Sequence, residues 1–193
     1  MTVGRPREFD PDTVEEIAMK LFWDRGFEGV SISDLSTATG VNRRGIYAEF
    51  GSKEQLFERV KQRYVNGPGG YMATALSRAT AREVAEAMVH GAADATSGDP
   101  HGCLLVGNAV GLAEFRDAAV GELARRFDQA VAAGELSDVD TRLLARWISA
   151  VCQGIAIQAR SGATGEELHA IADLALTGWP NSSGGRVLST AGE

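Results

Sequence analysis

An all-helical fold is what this sequence predicts, and three observations support it. Apolar residues recur three and four positions apart, and no segment alternates with a strand's period of two over any length. Aromatic residues make up only 7% of a chain that is 44% hydrophobic, which suits packed helices better than sheets. Capping residues and glycines mark most helix ends. With 193 residues, the chain is long enough for one or two compact domains.

The first three helices are expected to be separated by short turns. Asp10 can cap the first helix, which Gly26 ends. Ser33 is the expected cap of a short second helix that runs to Gly40. After a tight turn, another short helix is expected to start near Arg43.

A fourth helix is predicted to follow Ser52, which has the spacing of a capping box with Gln55. The run Asn66–Gly70 (NGPGG) interrupts that helix and is the best domain boundary in the chain. We therefore expect a first domain with an N-terminal arm at residues 1–65, a second helical domain at 66–180, and a disordered tail at 181–193.

The second domain is also expected to be helical throughout. Capping boxes at Thr80–Glu83 and Thr164–Glu167 mark two helix starts. Further helices are predicted over residues 104–115, 120–131 and 143–159.

Charge is distributed unevenly along the chain. The net charge of −7 by itself disfavours a nucleic-acid partner. Residues 1–65 hold 10 basic and 11 acidic side chains, however, and residues 42–63 hold six basic against three acidic ones. Attraction to DNA is decided within about 8–10 Å in physiological salt, so a local basic face is compatible with DNA binding.

Two short helices joined by a glycine-containing turn follow the first helix. The turn, Gly40–Asn42, has the length found in helix-turn-helix motifs. In that motif the second helix enters the major groove and presents its N-terminal residues to base edges. Arg43 and Arg44 then lie where two-pronged contacts to guanine are made. Gly45 lets the backbone approach the DNA, at a helix cost of about 1 kcal/mol relative to alanine.

The segment SISDLSTATGVNRRGIYAEFGSKEQLF closely resembles the DNA-binding segment of TetR-type (TetR/AcrR) transcriptional regulators. The shared features are the first helix ending in RGFEGVSISDL, the TGV turn, the Ile-Tyr pair of the third helix, and FGSKEQLF; together they cover about residues 9–63. The resemblance implies a homodimeric repressor with an N-terminal three-helix helix-turn-helix domain. It also implies a helical C-terminal domain that binds a small molecule and pairs with a second copy through its last two helices.

Position by position, the resemblance assigns part of the first domain to DNA. Glu49 departs from the family pattern, in which histidine is frequent at this position, and its carboxylate would repel a phosphate. The Arg44-Gly45 pair replaces the family's common Pro-Ser or Ala-Ser, so the base sequence read is expected to be this chain's own. The residues expected to contact the groove or its phosphates are Ser33, Asn42, Arg43, Arg44, Gly45, Tyr47 and Lys53, with Tyr47 and Lys53 pointing outward.

Some of these residues have structural alternatives. Arg5 and Arg7, ahead of the first helix, either enter an A/T-rich minor groove or belong to a solvated leader. The paired arginines could form a solvent-facing patch, and Tyr47 could lie at the edge of the core. Glycine at position 45 could be a neutral substitution with no role in DNA binding. The adjacent turn, tyrosine and caps favour DNA contact for the arginines.

Cys103 follows His101 in PHGC, a spacing close to that of thiolate–imidazole metal sites. A closed metal site needs more ligands than these two, and no metal or other cofactor is expected. A helix-start role for Gly102 and Cys103 is the favoured interpretation, because GCLL recurs at a helix start in a subgroup of TetR relatives. A redox-reactive thiol at a helix N-terminus is the other alternative.

The second domain is expected to hold an effector pocket and a dimer interface. The helix at 143–159 is apolar on nearly all faces and must be buried on several sides, which favours a four-helix bundle formed with a second copy. The candidate pocket residues are Cys103, Asn108, Trp147 and Gln153, for which an ordinary core role is the alternative. The candidate interface residues are Leu143, Trp147, Ile148, Val151, Ile155, Leu168, Ile171 and Leu174.

The functional expectation is a homodimeric repressor that a small-molecule effector releases from a palindromic DNA operator. The alternative is a regulator that senses an oxidant or a soft metal through Cys103. No nucleophile–base pair or phosphate-binding glycine loop can be identified, so no enzymatic activity is expected. No signal peptide or membrane span is expected, and two cysteines are too few for a disulfide framework, which favours the cytoplasm.

Overall fold

The computed structural model describes residues 9–98, 102–106, 111–137 and 139–180. All regular secondary structure within these ranges is α-helical, which confirms the predicted all-helical fold class. Arg5, Arg7, His101, Asn108 and the predicted tail at 181–193 lie outside the described residues. The helices are α1 (Pro11–Arg25), α2 (Ile32–Thr39), α3 (Arg43–Phe50), α4 (Lys53–Val65), α5 (Tyr71–Leu76), α6 (Ala81–Thr96), α7 (Leu112–Ala132), α8 (Thr141–Arg160) and α9 (Gly165–Leu176).

The described helices belong to two compact units. The first contains α1–α4 and extends to Pro68, and the second begins at Gly69 and contains α5–α9. The division falls inside the NGPGG run. The fuller assignment of domains to residues 1–65, 66–180 and 181–193 stays a prediction.

Three phenylalanine rings form the centre of the first unit. Phe22 of α1 packs edge-on against Phe57 of α4, with ring centroids 5.1 Å apart, and stacks on Phe27 at 5.8 Å. All three rings are buried. Edge-to-face and offset aromatic pairs add about 0.5–1.5 kcal/mol beyond the area they bury. This cluster therefore fixes α1 against α4 and against the loop that precedes α2.

Most of the predicted helix starts are confirmed by cap geometry. The Asp10 carboxylate accepts the backbone N–H of Asp12, at 3.2 Å, at the start of α1. Ser52 accepts the backbone N–H of Gln55 at the start of α4. Reciprocal capping boxes form at the starts of α6 and α9, by Thr80–Glu83 and Thr164–Glu167.

One helix, α7, replaces the two helices predicted over 104–115 and 120–131. The prediction was wrong because residues 116–119 contain neither glycine nor proline, so nothing interrupts the helix. Residues 104–106 form a turn instead. Gly102 does not start a helix either: it has φ +65°, and a Cβ there would lie 2.7 Å from the carbonyl oxygen of Ala156. Glycine is needed at this position because the loop passes directly over α8.

The second unit has a core formed by α5–α9, in which α6 packs against both α8 and α9. Ile148, Ile155 and Leu168 lie in that core with no exposed surface, so their assignment to the dimer interface is wrong. Their side chains fill the space between helices of one chain and leave nothing for a second chain to contact. No helix in the described ranges is long and apolar enough to cross a membrane.

Candidate nucleic-acid interface

The turn between α2 and α3 is held by a short series of hydrogen bonds. Gly40 adopts the left-handed conformation, φ 71° and ψ 0°, which glycine reaches without strain. The hydroxyl of Thr39 donates to the carbonyl of Leu35 and accepts the N–H of Val41, at 2.7 and 3.2 Å. Asn42 Oδ1 then accepts the N–H of Gly45 at 2.8 Å and caps α3. These bonds fix the direction in which α3 leaves the turn.

One face of α3 is buried and the opposite face is exposed. Ile46 and Phe50 are 1% and 3% exposed, as the four-residue spacing predicts. Tyr47 is 50% exposed and points away from the core, and Arg43 and Arg44 are exposed at the N-terminus of the helix. The buried face anchors α3, and the exposed face presents one aromatic and two cationic side chains together.

The two arginines have different surroundings. The Arg43 guanidinium donates to the hydroxyl of Ser33, so a side chain from α2 and one from α3 meet on this surface. Arg44 makes no hydrogen bond or ion pair with any other residue of the described ranges. Both side chains keep most of their five N–H donors available for an external anion or base edge.

The cap of α2 is Ser31 and not Ser33. Ser31 accepts the backbone N–H of Asp34, and Asp34 accepts the backbone N–H of Ser31, which completes a capping box. The Ser31 hydroxyl also donates to the Asp34 carboxylate, and this bond, followed by the one from the Ser31 backbone N–H, lowers the pKa of Asp34. The sequence carried the signal, since Ser31 has an acidic residue three positions later and Ser33 does not. Ser33 is left within the helix, where its hydroxyl faces Arg43.

Lys53 does not point outward, so that part of its assignment is wrong. Its ammonium group donates to the carbonyls of Phe27 and Val30, at 3.0 and 3.1 Å, and lies 4.0 Å from the centre of the Phe27 ring. The loop between α1 and α2 turns these two carbonyls toward α4, and a long cationic side chain satisfies both. Lys53 thus joins the start of α4 to that loop.

Replacing Lys53 with methionine is expected to lower the free energy of unfolding of the first unit by about 1–3 kcal/mol, because two carbonyls lose a charged donor. The measurement is urea denaturation followed by circular dichroism. Lys20→Met is the matched control, since Lys20 is exposed and, within the described ranges, its ion pair is with Glu16 one turn away, at 2.8 Å; an exposed pair of this kind contributes little to stability. Equal losses in the two variants would contradict the anchoring role of Lys53.

The basic face predicted over residues 42–63 is narrower than the count of charges suggests. Arg59 lies within 3.6 Å of carboxylate oxygens of both Glu15 and Glu49, and Arg63 pairs with Asp12 and Glu15. Lys61 is buried and pairs with Glu58, at 2.6 Å. Among the six basic side chains of this stretch, Arg43 and Arg44 are the two without an acidic partner that also remain exposed.

Glu49 has a structural role that sequence reasoning missed. Its carboxylate lies 3.6 Å from Arg59, and its backbone carbonyl accepts from the same guanidinium, at 3.4 Å. The pair joins the C-terminal half of α3 to α4. A carboxylate that is already neutralised in this way repels a nearby phosphate less than an isolated one would.

Gly45 is explained in part by packing. A Cβ at this position would lie 3.0 Å from the side chain of Val41 and 3.4 Å from that of Phe9. The space that a larger residue would need is therefore already filled within the first unit, which supplies a reason for glycine besides close approach to DNA.

Trp147 and the loop that carries Cys103 lie at different levels along α8. Trp147 lies beside Gly178, where a Cβ would be 3.6 Å from its ring, whereas the Gly102–Cys103 loop contacts α8 at Ala156, about 13 Å further along the helix. The Gln153 amide donates to Ser149 on its own helix, at 3.0 Å. The pocket assignment stays a prediction.

The two cysteines differ in exposure. Cys103 is half-buried in its loop, and Cys152 is buried. Burial, with a smaller contribution from nearby Cys103, raises the pKa of the Cys152 thiol to about 12. A thiol with so high a pKa is protonated and unreactive at neutral pH. Among the described residues, no group of three or more His, Cys, Asp or Glu side chains could hold a metal ion, so the structure adds no further ligand to the metal alternative at Cys103.

Comparison with known proteins identifies the relatives of this chain. Residues 16–60 match the family model described as bacterial regulatory proteins, tetR family. The HTH-type transcriptional repressor ComR of Escherichia coli (strain K12) is 34% identical, with 92% of each chain covered. The HTH-type transcriptional repressor BdcR of the same organism is 44% identical over 62 residues, which are 32% of each chain.

A solved structure extends the similarity to the whole fold. It contains a cysteine mutant of the TetR family transcriptional regulator CifR, complexed with 26-bp double-strand operator DNA. The sequence identity is 34%, the TM-score is 0.78, and the match covers 92% of this chain and 100% of that chain.

Proposed function

This chain belongs to the TetR family and is a DNA-binding transcriptional regulator, and we propose that it is a homodimeric repressor released from its operator by a small-molecule effector. One observation carries the proposal: α3 is anchored by Ile46 and Phe50 and presents Arg43, Arg44 and Tyr47 together on its exposed face. That combination of anchored and exposed faces is what a recognition helix requires.

The exposed residues have distinct proposed roles. Arg43 and Arg44 form two-pronged hydrogen bonds to guanine edges in the major groove, and Tyr47 donates to a flanking phosphate. Ser33 releases Arg43 on binding and contacts a phosphate through its hydroxyl. Asn42 and Gly45 lie against the DNA at the N-terminus of α3, where the helix dipole favours the phosphate anion. Arg5 and Arg7 are proposed to contact the minor groove of the DNA.

A repressor of this kind binds DNA as a dimer, because two recognition helices about 34–36 Å apart read two half-sites. The exposed apolar surface on α8 and α9 supports this mode of pairing. Leu143 and Leu174 are 55% and 71% exposed, and Ile157, which the sequence interpretation did not include, is 51% exposed. Gly154 lies on the same face with open space beside it, where a second helix could approach closely. The remaining interface residues proposed are Trp147, Val151 and Ile171.

Replacing both Leu143 and Leu174 with glutamate is expected to raise the dimer dissociation constant at least a hundredfold, because carboxylates would be buried without partners. Analytical ultracentrifugation over a concentration series measures this. Gln129→Glu, an exposed charge change on α7, is the control and should leave the dissociation constant unchanged. A double variant that dimerises as tightly as the unmodified chain would place the interface elsewhere.

The effector is proposed to bind within the second unit and to favour a conformation with a different separation of the two α3 helices. A coupling of about 1–3 kcal/mol changes operator occupancy by roughly 5–150-fold, so the effector need not bind tightly. We place the protein in the cytoplasm, where DNA and the effector meet.

The function is tested by incubating the purified protein with random-sequence DNA duplexes at two salt concentrations. The duplexes that the protein retains are then sequenced. An enriched inverted repeat with half-sites about one helical turn apart is the expected result. If the retained DNA decreases with salt but shows no enriched sequence, the binding is non-specific and the proposal of a specific operator is overturned.

A further inference from the structure

Four side chains on two helices of the second unit form a closed set of contacts. His90 and Asp94 lie one turn apart on α6, and His169 and Asp173 lie one turn apart on α9. His90 Nε2 is 3.3 Å from the Asp173 carboxylate, and His169 Nε2 is 3.1 Å from the Asp94 carboxylate. The two Nδ1 atoms are 3.0 Å apart, and the rings stack with centroids 5.2 Å apart.

Hydrogen atoms are too few for all three contacts. A neutral imidazole carries one N–H, so two neutral rings supply two donors for three hydrogen bonds. If each ring donates from Nε2 to its aspartate, the two Nδ1 lone pairs face each other at 3.0 Å. That arrangement is repulsive unless a cation lies between the two nitrogens.

We propose that His90 and His169 bind a divalent transition-metal ion through their Nδ1 atoms, with Asp94 and Asp173 holding the two rings in position. A carboxylate on the far nitrogen is the usual partner of a metal-bound histidine, because it fixes the tautomer and makes the ring a better ligand. Here both rings have such a partner, and each comes from the opposite helix. Imidazole ligands suit Zn²⁺, Cu²⁺ and Ni²⁺.

The two rings lie at the surface of the second unit, beside the exposed carboxylates of Asp173 and Asp94. The side chains of His90 and His169 are 32% and 39% exposed, so solvent can reach the two rings and water can fill the remaining positions of a bound ion. On the same helix, Glu86 is already paired with Arg82, at 2.7 Å.

The geometry needs only a small adjustment. Two nitrogens bound to Zn²⁺ at about 2.0–2.1 Å in a tetrahedral arrangement lie roughly 3.4 Å apart. The present Nδ1 atoms would have to separate by about 0.4 Å, which rotation of part-exposed rings provides. Only two protein ligands are present, so the affinity is expected to be moderate. Binding would connect α6 to α9 and raise the melting temperature of the chain.

The test is calorimetric titration of the full chain with Zn²⁺ at a pH of about 7.5, because metal binding competes with protons for imidazole ligands. One ion per chain is expected. His90→Gln/His169→Gln should lose binding, and Asp94→Asn/Asp173→Asn should weaken it about 10–100-fold. Circular dichroism confirms that the variants fold.

Two single variants serve as controls, because the chain has one other histidine and an accessible thiol. His101→Gln and Cys103→Ser should each keep the stoichiometry and affinity. Binding that disappears with either control, or survives in the double histidine variant, overturns the proposal. So does the absence of saturable Zn²⁺ binding to the folded, unmodified chain.

Discussion

Alanine at both Arg43 and Arg44 is expected to weaken specific operator binding at least thirtyfold. Each two-pronged hydrogen bond to guanine contributes about 1–3 kcal/mol of discrimination, so removing both arginines costs about 2–6 kcal/mol. The structure favours a large effect because these are the exposed cations of α3, while other basic side chains of residues 42–63 are held by internal carboxylates or carbonyls. Fluorescence anisotropy with the selected operator measures the change.

The salt dependence of the same variant separates base recognition from phosphate neutralisation. If the arginines read bases, the specific affinity falls while non-specific binding changes little. If they neutralise phosphates, the slope of log K against log salt becomes shallower by about 0.9 for each phosphate that an arginine no longer neutralises. Arg125→Ala is the matched control, since Arg125 is highly exposed on α7 and 3.9 Å from its ion-pair partner, Glu122. Unchanged operator affinity in the double arginine variant would show that α3 is not the recognition helix.

Alanine at Phe22 is expected to destabilise the first unit by about 3–5 kcal/mol, because it removes the ring at the centre of the Phe22, Phe27 and Phe57 cluster and leaves a cavity. Phe22 is 1% exposed, so no solvent contact offsets the loss. Thermal and urea unfolding of the full chain should show an early transition for the first unit, and operator binding should fall with it as temperature rises.

Leu21→Ala is the control for this prediction. Leu21 lies on the same helix, but it is only half-buried, so its replacement should cost less than half as much stability as that of Phe22. A Phe22→Ala protein with an unchanged first transition would mean that the aromatic cluster does not determine the stability of the unit.

Local sequence patterns were sufficient for the helical class and for most helix starts. Capping boxes at Thr80–Glu83 and Thr164–Glu167 act within one turn, so their spacing can be read directly along the chain. The same rule identifies Ser31 instead of Ser33 as the cap of α2, because only Ser31 has an acidic residue at the required position. The inward and outward faces of α3 also followed from spacing, since helical geometry alone places Ile46 and Phe50 together.

Contacts between distant residues could not be read in this way. Lys53 faces the carbonyls of Phe27 and Val30, 26 and 23 residues earlier, and nothing near Lys53 in the sequence records those acceptors. Arg63 similarly finds Asp12, 51 residues away. The count of basic residues therefore overstated the exposed positive charge, which depends on where the acidic partners lie in three dimensions.

By itself, the sequence determined the helical class, most helix starts, the turn at Gly40 and the exposure of Arg43, Arg44 and Tyr47, because each of these depends on neighbours within a turn or two. Only the tertiary structure decided which apolar residues of α8 and α9 fill the core and which remain outside. Ile148 and Leu174 are equally apolar, and their different exposure, 0% against 71%, results from how α8 and α9 pack in the second unit. The His90–His169 pair was likewise invisible until α6 and α9 packed together, since 79 residues separate the two rings along the chain.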